Sequence, residues 1–173
     1  MWSRSLRNKK KEEGFTSAQQ VYDCALDLLS YRDYSHKDML ERLQRKGATK
    51  AQALEAVAKL EDYGLLNEER YALRVYEAWL AKRYYGRQHL QLELSKRGIR
   101  ADVAAEIMER FTSDVEEQQA ENAAQLFMQR NQRKLTEEAD YKKIYAAAGR
   151  FMAARGFSSR YVHIILGKLH FSD

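Results

Sequence analysis

The sequence predicts an all-α protein made of three tandem three-helix repeats that form an elongated curved array. Three observations lead to this fold class. The 173-residue chain contains no proline and 32% of its residues are charged, a combination that favours long helices over β-sandwiches or barrels. Apolar residues recur at spacings of three and four, the period of one buried helix face. A fourteen-residue pattern also recurs three times along the chain.

The first repeat, residues 17–66, contains three predicted helices. Each begins after a residue whose side chain can accept hydrogen bonds from the first helical turn. These capping residues are Thr16 or Ser17, Ser35 and Thr49. Gln52 completes a capping box with Thr49, and Gly47 and Gly64 supply left-handed stops. The inward face of the third helix is predicted to carry three apolar residues, namely Leu54, Val57 and Leu60.

The second repeat, residues 67–113, and the third, residues 114–173, follow the same plan. The three copies of the pattern are YSHKDMLERLQRKG at 34–47, YGRQHLQLELSKRG at 85–98 and, in degenerate form, KIYAAAGRFMAARG at 143–156. Each copy ends on a basic residue and a glycine, with apolar side chains four and eight places before that glycine. We expect Asn67 to cap the first helix of the second repeat and Gly86 to end it.

A three-helix unit of about fifty residues buries too little surface alone, so successive repeats are expected to stack on their neighbours. The product is an array with an extended surface, and such arrays bind partners more often than they catalyse reactions. Residues 1–16 are predicted to form a flexible basic tail. They lack the apolar segment of a secretory signal.

The basic residues are unevenly placed along the chain. The formal net charge is +5, and within residues 82–100 a single acid, Glu93, stands against six basic residues. The six, called the basic cluster below, are Lys82, Arg83, Arg87, Lys96, Arg97 and Arg100. This cluster predicts an acidic partner, either nucleic acid or an acidic protein surface. A solvated helix face explains any one of these residues equally well, but it does not explain their density.

Nothing in the sequence indicates an enzyme. It has no glycine-rich phosphate loop, no His and Cys set at metal-ligand spacing and no nucleophile motif, so no catalytic residue, metal or cofactor is expected. The single cysteine, Cys24, cannot form an internal disulfide and lies near an apolar stripe, where it is expected to act as a small buried hydrophobe. Because no apolar run reaches membrane-spanning length, a soluble cytoplasmic protein is expected.

Two segments around the middle repeat resemble the signature of the bacterial regulatory protein RecX family. They are GLLNEERYA at residues 64–72 and YYGRQHLQLELSKRGI at residues 84–99. The resemblance extends from about Ala18 to Leu169 and includes the chain length and the three-unit organisation. Asn67 stands where the family often has aspartate, which preserves a capping role. Arg100 stands where a small capping residue is common, and it adds a charge to the basic cluster.

The resemblance implies a modulator, mainly an inhibitor, of the recombinase RecA. Family members engage the RecA–single-stranded DNA filament and restrain its growth, strand exchange and coprotease activity. On this hypothesis the basic cluster contacts the filament, and the secondary contact candidates are Arg45, Lys46, Tyr84, Tyr85, Arg155 and Arg160. Core packing explains the two tyrosines somewhat better, and helix-dipole complementation explains Arg45 and Lys46 equally well. We expect a monomer with weak direct DNA binding and no membrane contact.

Two alternatives stay open from the sequence. The segment LERLQRKGATKAQALEAVAKL, residues 40–60, resembles a helix-turn-helix with a glycine turn. Gln52 is its one promising base-reading residue, and the corresponding segment of the second repeat, ADVAAEIMERF, is acidic and apolar. The other alternative is nonspecific DNA binding without RecA.

Overall fold

A computed structural model describes residues 14–134, 141–164 and 167. This described part is all-α, as predicted, and contains eight α-helices of defined bounds. They are α1 (Ala18–Tyr31), α2 (His36–Arg45), α3 (Lys50–Asp62), α4 (Glu68–Leu80), α5 (Arg87–Lys96), α6 (Ala101–Arg110), α7 (Ser113–Asn131) and α8 (Tyr141–Ala153). Short 3-10 turns follow α7 at Gln132–Lys134 and α8 at Ser159–Tyr161, and residues 162–164 are helical. Most of the predicted tail, residues 1–13, lies outside the described residues.

The helix ends predicted from the sequence are largely confirmed. Side chains cap the first turns of four helices as expected, at Ser17, Ser35, Thr49 and Asn67. Thr49 and Gln52 form the complete capping box. Four of the five predicted glycine stops have positive φ angles, namely Gly47 (103°), Gly64 (65°), Gly98 (66°) and Gly156 (78°). Only glycine adopts this left-handed conformation without steric cost.

The end of α4 differs from the prediction. The helix ends at Leu80 rather than at Gly86, and the left-handed residue that follows it is Arg83, with φ 64°. Gly86 instead lies buried just before α5. A Cβ added to Gly86 would lie 2.5 Å from Cδ1 of Phe157 and 2.7 Å from the carbonyl oxygen of Gly156. The glycine is therefore required by close packing and not by the conformation of its own backbone.

The chain divides into two compact units. Unit 1 comprises the described residues up to Ala72 together with Lys96–Val103, and unit 2 comprises Leu73–Ser95 and the described residues from Ala104 onward. Since the divisions fall inside α4, α5 and α6, only the predicted second repeat is divided between the units, and each unit combines part of it with one neighbouring repeat.

The core of unit 1 is formed by α1, α2 and α3. Its completely buried members include Val21, Ala25, Met39, Leu43, Val57 and Leu60. One prediction for α3 is wrong: Leu54 is 44% exposed, and Ala53 and Ala56 take the inward positions instead. Positions 53, 56, 57 and 60 share one face of a helix, whereas position 54 is turned by about 100° from position 53. The buried stripe of α3 therefore combines two alanines with Val57 and Leu60 and leaves Leu54 outside.

Unit 2 has a core that α7, α8 and the following 3-10 turn share. Its members are Ala120, Ala123, Ala124, Phe127, Ala148, Met152, Phe157, Tyr161 and Val162. In the same unit, the ring of Trp79 on α4 meets Phe111 edge-on at 5.3 Å. Its indole Nε1 donates a hydrogen bond to Nδ1 of His89 over 2.8 Å. The buried tryptophan therefore has a partner for its one polar group, as such residues require.

Each unit contains the same contact between the middle helices of consecutive repeats, which we call a repeat junction. In unit 1, Ser35 Oγ donates a hydrogen bond to the carbonyl of Arg97 over 2.7 Å. In unit 2, the N–H of Gly86 donates to the carbonyl of Arg155 over 2.9 Å. Ser35 and Gly86 occupy one position of the recurring pattern, and Arg97 and Arg155 occupy another. The start of each middle helix thus packs on the end of the next repeat's middle helix.

Candidate functional site

The six residues of the basic cluster are all exposed, and they are distributed over both units. Lys82, Arg83 and Arg87 belong to unit 2. Lys96, Arg97 and Arg100 belong to unit 1. Their local surroundings separate residues that stabilise a repeat junction from residues whose side chains face solvent.

Arg100 pairs with a buried carboxylate in unit 1. Its Nε lies 2.5 Å from Oε2 of Glu68, whose side chain is only 2% exposed. The other oxygen of Glu68 accepts a hydrogen bond from the backbone N–H of His36, the first residue of α2, over 3.3 Å. Burial acts to lower the pKa of the Arg100 guanidinium, but the hydrogen bond and charge of Glu68 outweigh it and raise that pKa. Arg100 therefore stays charged and holds the glutamate in the junction.

Arg87 has the corresponding surroundings in unit 2. Its backbone N–H donates to Oε1 of Glu116 over 3.0 Å, and its Nε lies 3.7 Å from Oε2 of the same residue. The guanidinium also donates to the carbonyls of Met108, over 3.2 Å, and of Phe111, at the end of α6. Arg87 thus satisfies carbonyl groups that a helix end leaves without intrahelical partners.

Glu68 and Glu116 have the same role in the two junctions, and sequence reasoning missed both. Each lies near the start of the first helix of a repeat and accepts a hydrogen bond from the first residue of the preceding middle helix. Each also faces an arginine of its own repeat, Arg100 at 2.5 Å and Arg160 at 4.0 Å. Their hydrogen-bond partners lie on other helices, so local sequence signals do not identify them.

Arg97 and Lys96 follow one another at the end of α5. Arg97 Nη1 lies 3.4 Å from the hydroxyl oxygen of Tyr71, and its carbonyl receives the bond from Ser35 described above. Lys96, the last residue of the helix, is exposed. Its position complements the partial negative charge at a helix end while its ammonium group faces solvent.

Two adjacent tyrosines lie in the segment between α4 and α5, and their side chains have different surroundings. Tyr85 packs against His89, with ring centroids 4.1 Å apart, and the ammonium of Lys82 lies 5.9 Å from the Tyr85 ring. Tyr84 is 38% exposed. Arg83, which lies between Lys82 and Tyr84 in the sequence, is exposed and has a positive φ angle. Of the two tyrosines, Tyr84 is therefore the one that offers a ring to a partner.

The remaining secondary candidates have close partners of their own. Arg45 Nε donates to the carbonyl of Glu41 over 3.3 Å, and the exposed Lys46 provides the C-cap of α2. The Arg155 guanidinium lies 3.5 Å from the centre of the Phe151 ring, and burial together with the charge of Arg130 lowers its pKa.

Arg160 is the last of these candidates. It lies over Tyr161, 4.6 Å from the ring centre, and the Tyr161 hydroxyl raises its pKa. Its side chain is 64% exposed.

The described residues show neither a metal-ligand cluster nor a membrane-spanning helix. In this part of the chain, no three His, Cys, Asp or Glu side chains come together as metal ligands would. No described helix combines the length and apolar character needed to cross a membrane. Gln52, the candidate base reader, accepts hydrogen bonds from both the N–H and the hydroxyl of Thr49, each over 3.0 Å.

Sequence comparisons place this geometry among known proteins. A family model described as "RecX, first three-helix domain" matches residues 22–60. The regulatory protein RecX of Trichlorobacter lovleyi is 30% identical over 156 residues, which are 88% of this chain and 99% of that protein. The regulatory protein RecX of Ectopseudomonas mendocina is also 30% identical, over 138 residues, or 80% of this chain and 87% of the relative.

Solved structures show the same fold. A crystal structure of RecX from Lactobacillus salivarius superposes with a TM-score of 0.75 at 22% identity, covering 88% of this chain and 96% of the other. A further crystal structure of a regulatory protein RecX gives a TM-score of 0.74 at 19% identity and covers 87% of this chain. The three-repeat helical fold predicted from the sequence is confirmed.

Proposed function

The chain belongs to the RecX family of regulatory proteins, and we propose from this premise that it binds RecA and the RecA–single-stranded DNA filament. In doing so it modulates, and mainly inhibits, the recombinase, ATPase and coprotease activities of RecA, and so affects recombination, DNA repair and the SOS response. It acts by binding, without catalysis or a cofactor, as a monomer in the cytoplasm where RecA works. The observation that carries this proposal is the likeness to a regulatory protein RecX over 88% of the chain.

The basic cluster supports an anionic partner, and its members divide into two groups. Arg87 and Arg100 hold buried glutamates of the junctions, so replacing them would change the fold and the partner contact together. Arg83 and Lys96 are exposed, one in each unit, and are the cluster residues most available to a partner. Lys82 and Arg97 complete the proposed contact set. Carboxylates and DNA phosphates in the filament are the groups such side chains attract.

The rival function is DNA binding without RecA, either by a helix-turn-helix or without sequence preference. A reading helix needs free amide or basic side chains at its start to contact base edges. The Gln52 side chain is instead engaged in the capping box of α3. This observation weighs against sequence-specific recognition by the first repeat.

Filament assembly on single-stranded DNA, followed with and without excess protein, tests the proposal. We expect slower filament growth and reduced RecA ATP hydrolysis. Binding to bare single strands, to duplex and to RecA-coated strands, all measured at one salt concentration, distinguishes the proposed function from DNA binding without RecA. Preference for coated strands supports the modulator, whereas preference for one duplex sequence would support a transcription factor. Undisturbed assembly in excess protein would overturn the proposal.

A further inference from the structure

Unit 2 contains a pair of arginines without an acidic partner. They are Arg130, in the last turn of α7, and Arg155, two residues after the end of α8, and we call them the arginine pair. Within the part of the chain that the structure describes, no carboxylate forms an ion pair with either guanidinium. By contrast, Arg87, Arg100 and Arg160 each lie within 4.0 Å of a buried glutamate.

Arg155 is held through both its main chain and its side chain. Its carbonyl accepts a hydrogen bond from the N–H of Gly86 over 2.9 Å. Its Nη1 donates to the carbonyl of Phe151 over 3.2 Å, and its guanidinium lies 3.5 Å from the centre of the Phe151 ring. Phe151 in turn packs edge-on against Phe127 at 5.2 Å. These contacts place a positive charge against an apolar surface.

The neighbouring side chains add positive charge rather than compensate it. Burial lowers the pKa of Arg155 and the charge of Arg130 lowers it further, whereas Tyr85 acts in the opposite direction. The ammonium of Lys82 lies 5.9 Å from the Tyr85 ring. A partly desolvated charge is normally paired with an opposite charge, because leaving it unpaired costs free energy. The arginine pair has no such partner in the described residues, so an external anion is the group that would relieve the repulsion.

The donors around this place select phosphate as the class of anion. Arg130 is exposed and Arg155 is half-buried, so a ligand can reach both guanidinium groups from solvent. Each guanidinium presents a planar fork that binds two oxygens at once. Two forks and the nearby hydroxyl of Tyr85 supply donors from several directions. That arrangement suits the tetrahedral oxygens of a phosphate better than the planar oxygen pair of a carboxylate.

We propose that the arginine pair is a phosphate-binding site, in which Arg130 and Arg155 bind the oxygens of one phosphate group and Tyr85 donates a further hydrogen bond. The ligand is a phosphodiester of a nucleic-acid strand or a free phosphate, since both share this chemistry. The inference goes beyond the proposed function, because the site binds its ligand in the absence of RecA. It also adds Arg130, which lies outside the basic cluster, to the residues that contact an anion.

Two probes test the site in solutions that contain no RecA. A fluorescent oligothymidylate of about ten nucleotides is followed by anisotropy. Inorganic pyrophosphate is followed by the rise in melting temperature that it causes at constant ionic strength. Arg130→Gln and Arg155→Met each remove one charge, and methionine keeps an apolar stem over Phe151. Arg150→Gln is the matched control, because Arg150 is exposed on α8 and turned by about 100° from Phe151.

We expect each variant of the arginine pair to weaken binding of at least one probe by about tenfold, the loss of one charged hydrogen bond. The control should change binding by less than about twofold, as an exposed charge does. Weaker binding of the oligothymidylate assigns the site to a strand, and an effect confined to pyrophosphate assigns it to free phosphate.

Stability distinguishes a binding role from a structural one. Since the two arginines repel each other when no anion is bound, Arg130→Gln should leave the melting temperature in phosphate-free buffer unchanged or raise it. A lower melting temperature of Arg130→Gln in that buffer would overturn the inference, because the residue would then stabilise the fold.

Three binding results would also overturn it. The first is unchanged binding of both probes by either variant of the arginine pair. The second is an equal loss in the Arg150→Gln control, which would indicate only a general attraction between opposite charges. The third is binding of poly-L-glutamate that matches the oligothymidylate and is weakened equally by the variants, which would indicate a carboxylate site. All of these results leave the proposed function intact, because RecA takes no part in the measurements.

Discussion

Gly86 and Gly156 approach so closely that a Cβ on Gly156 would lie 2.3 Å from the backbone nitrogen of His89, and one on Gly86 would lie 2.7 Å from the Gly156 carbonyl oxygen. The N–H of Gln88 also donates to that carbonyl over 3.1 Å. The junction of unit 2 is therefore a backbone-to-backbone contact that admits no side chain on either glycine.

Gly86→Ala should destabilise the protein by about 1–3 kcal/mol, the usual cost of forcing extra volume into a packed site. Urea unfolding measures the change. Gly149→Ala is the matched control, because Gly149 lies within α8 and an added Cβ would meet nothing within 4 Å. This control should gain up to about 1 kcal/mol from better helix propensity. Equal stability of the two variants would show that the close approach is not real.

Glu68→Leu and Glu116→Leu should each cost about 1–3 kcal/mol, because the N–H of His36 or Arg87 loses its buried acceptor. Glutamine at either position keeps a carbonyl acceptor and should cost less. The arginines near these glutamates, Arg87, Arg100 and Arg160, have side chains 44%, 49% and 64% exposed, so solvent weakens the ionic part of the effect. Glu69→Gln, at an exposed position, should change stability by less than about 0.5 kcal/mol. If leucine is tolerated as well as glutamine, the glutamates do not hold the junctions.

Arg83→Gly should raise the free energy of unfolding by about 0.5–1 kcal/mol, because glycine adopts φ 64° without the clash that a Cβ creates. Arg83→Ala keeps that clash and should bring no such gain. Both variants lose the guanidinium and should bind the filament more weakly. Thermal unfolding measures the stability of each variant and co-sedimentation measures its filament binding. Together they test whether Arg83 lowers the stability of the fold while it strengthens binding, as residues at other strained functional positions do. If Arg83→Gly leaves the free energy of unfolding unchanged, the backbone at position 83 is not strained.

Lys96→Glu should weaken filament binding by about tenfold at low salt and reduce the salt dependence of binding. Lys96 is a better target than Arg87 because the Arg87 guanidinium also binds carbonyls at the end of α6. Lys50→Glu, an exposed charge reversal outside the basic cluster, is the control and should leave binding nearly unchanged. Equal binding by Lys96→Glu and the parent chain would remove Lys96 from the contact set.

The Cys24 thiol should form its thiolate at a higher pH in the folded chain than in urea. Burial raises its pKa, and the positive charge of Lys46 lowers it to a smaller extent. A raised pKa means that the stabilising effect is complete below the thiol's ordinary pKa and is lost as the pH rises through the folded value. The rate of reaction with a disulfide reagent as a function of pH measures this. Lys46→Gln should move the folded curve to still higher pH, and a shift to lower pH would contradict the assigned causes.

Local sequence signals predicted the helix boundaries well, because caps such as Thr49 with Gln52 and stops such as Gly98 depend on residues only a few positions apart. The RecX resemblance was also visible in the sequence, and the relatives confirm it. Gly86 was misassigned because a glycine can serve a close contact as readily as a helix end. Nothing near it in sequence indicates that Gly156 lies opposite.

The buried glutamates and the hydrogen bond between Gln119 and Leu80 were missed for a related reason. Glu68 meets Arg100 thirty-two positions away, and Gln119 meets Leu80 thirty-nine positions away. Helical periodicity does not encode such partners. The basic cluster was identified as a set, but charge counting could not distinguish Arg100, which holds Glu68, from the exposed Lys96. Its role in binding stays a prediction.

The two equivalent junctions have an evolutionary consequence. A gene that encodes this fold can grow or shrink by whole three-helix repeats, since every added copy brings both halves of the connector: a helix start that donates a hydrogen bond and a helix end whose carbonyl accepts one. Ser35 and Gly86 show that the connector tolerates different chemistry at one point, a hydroxyl donor in one copy and a main-chain donor in the other.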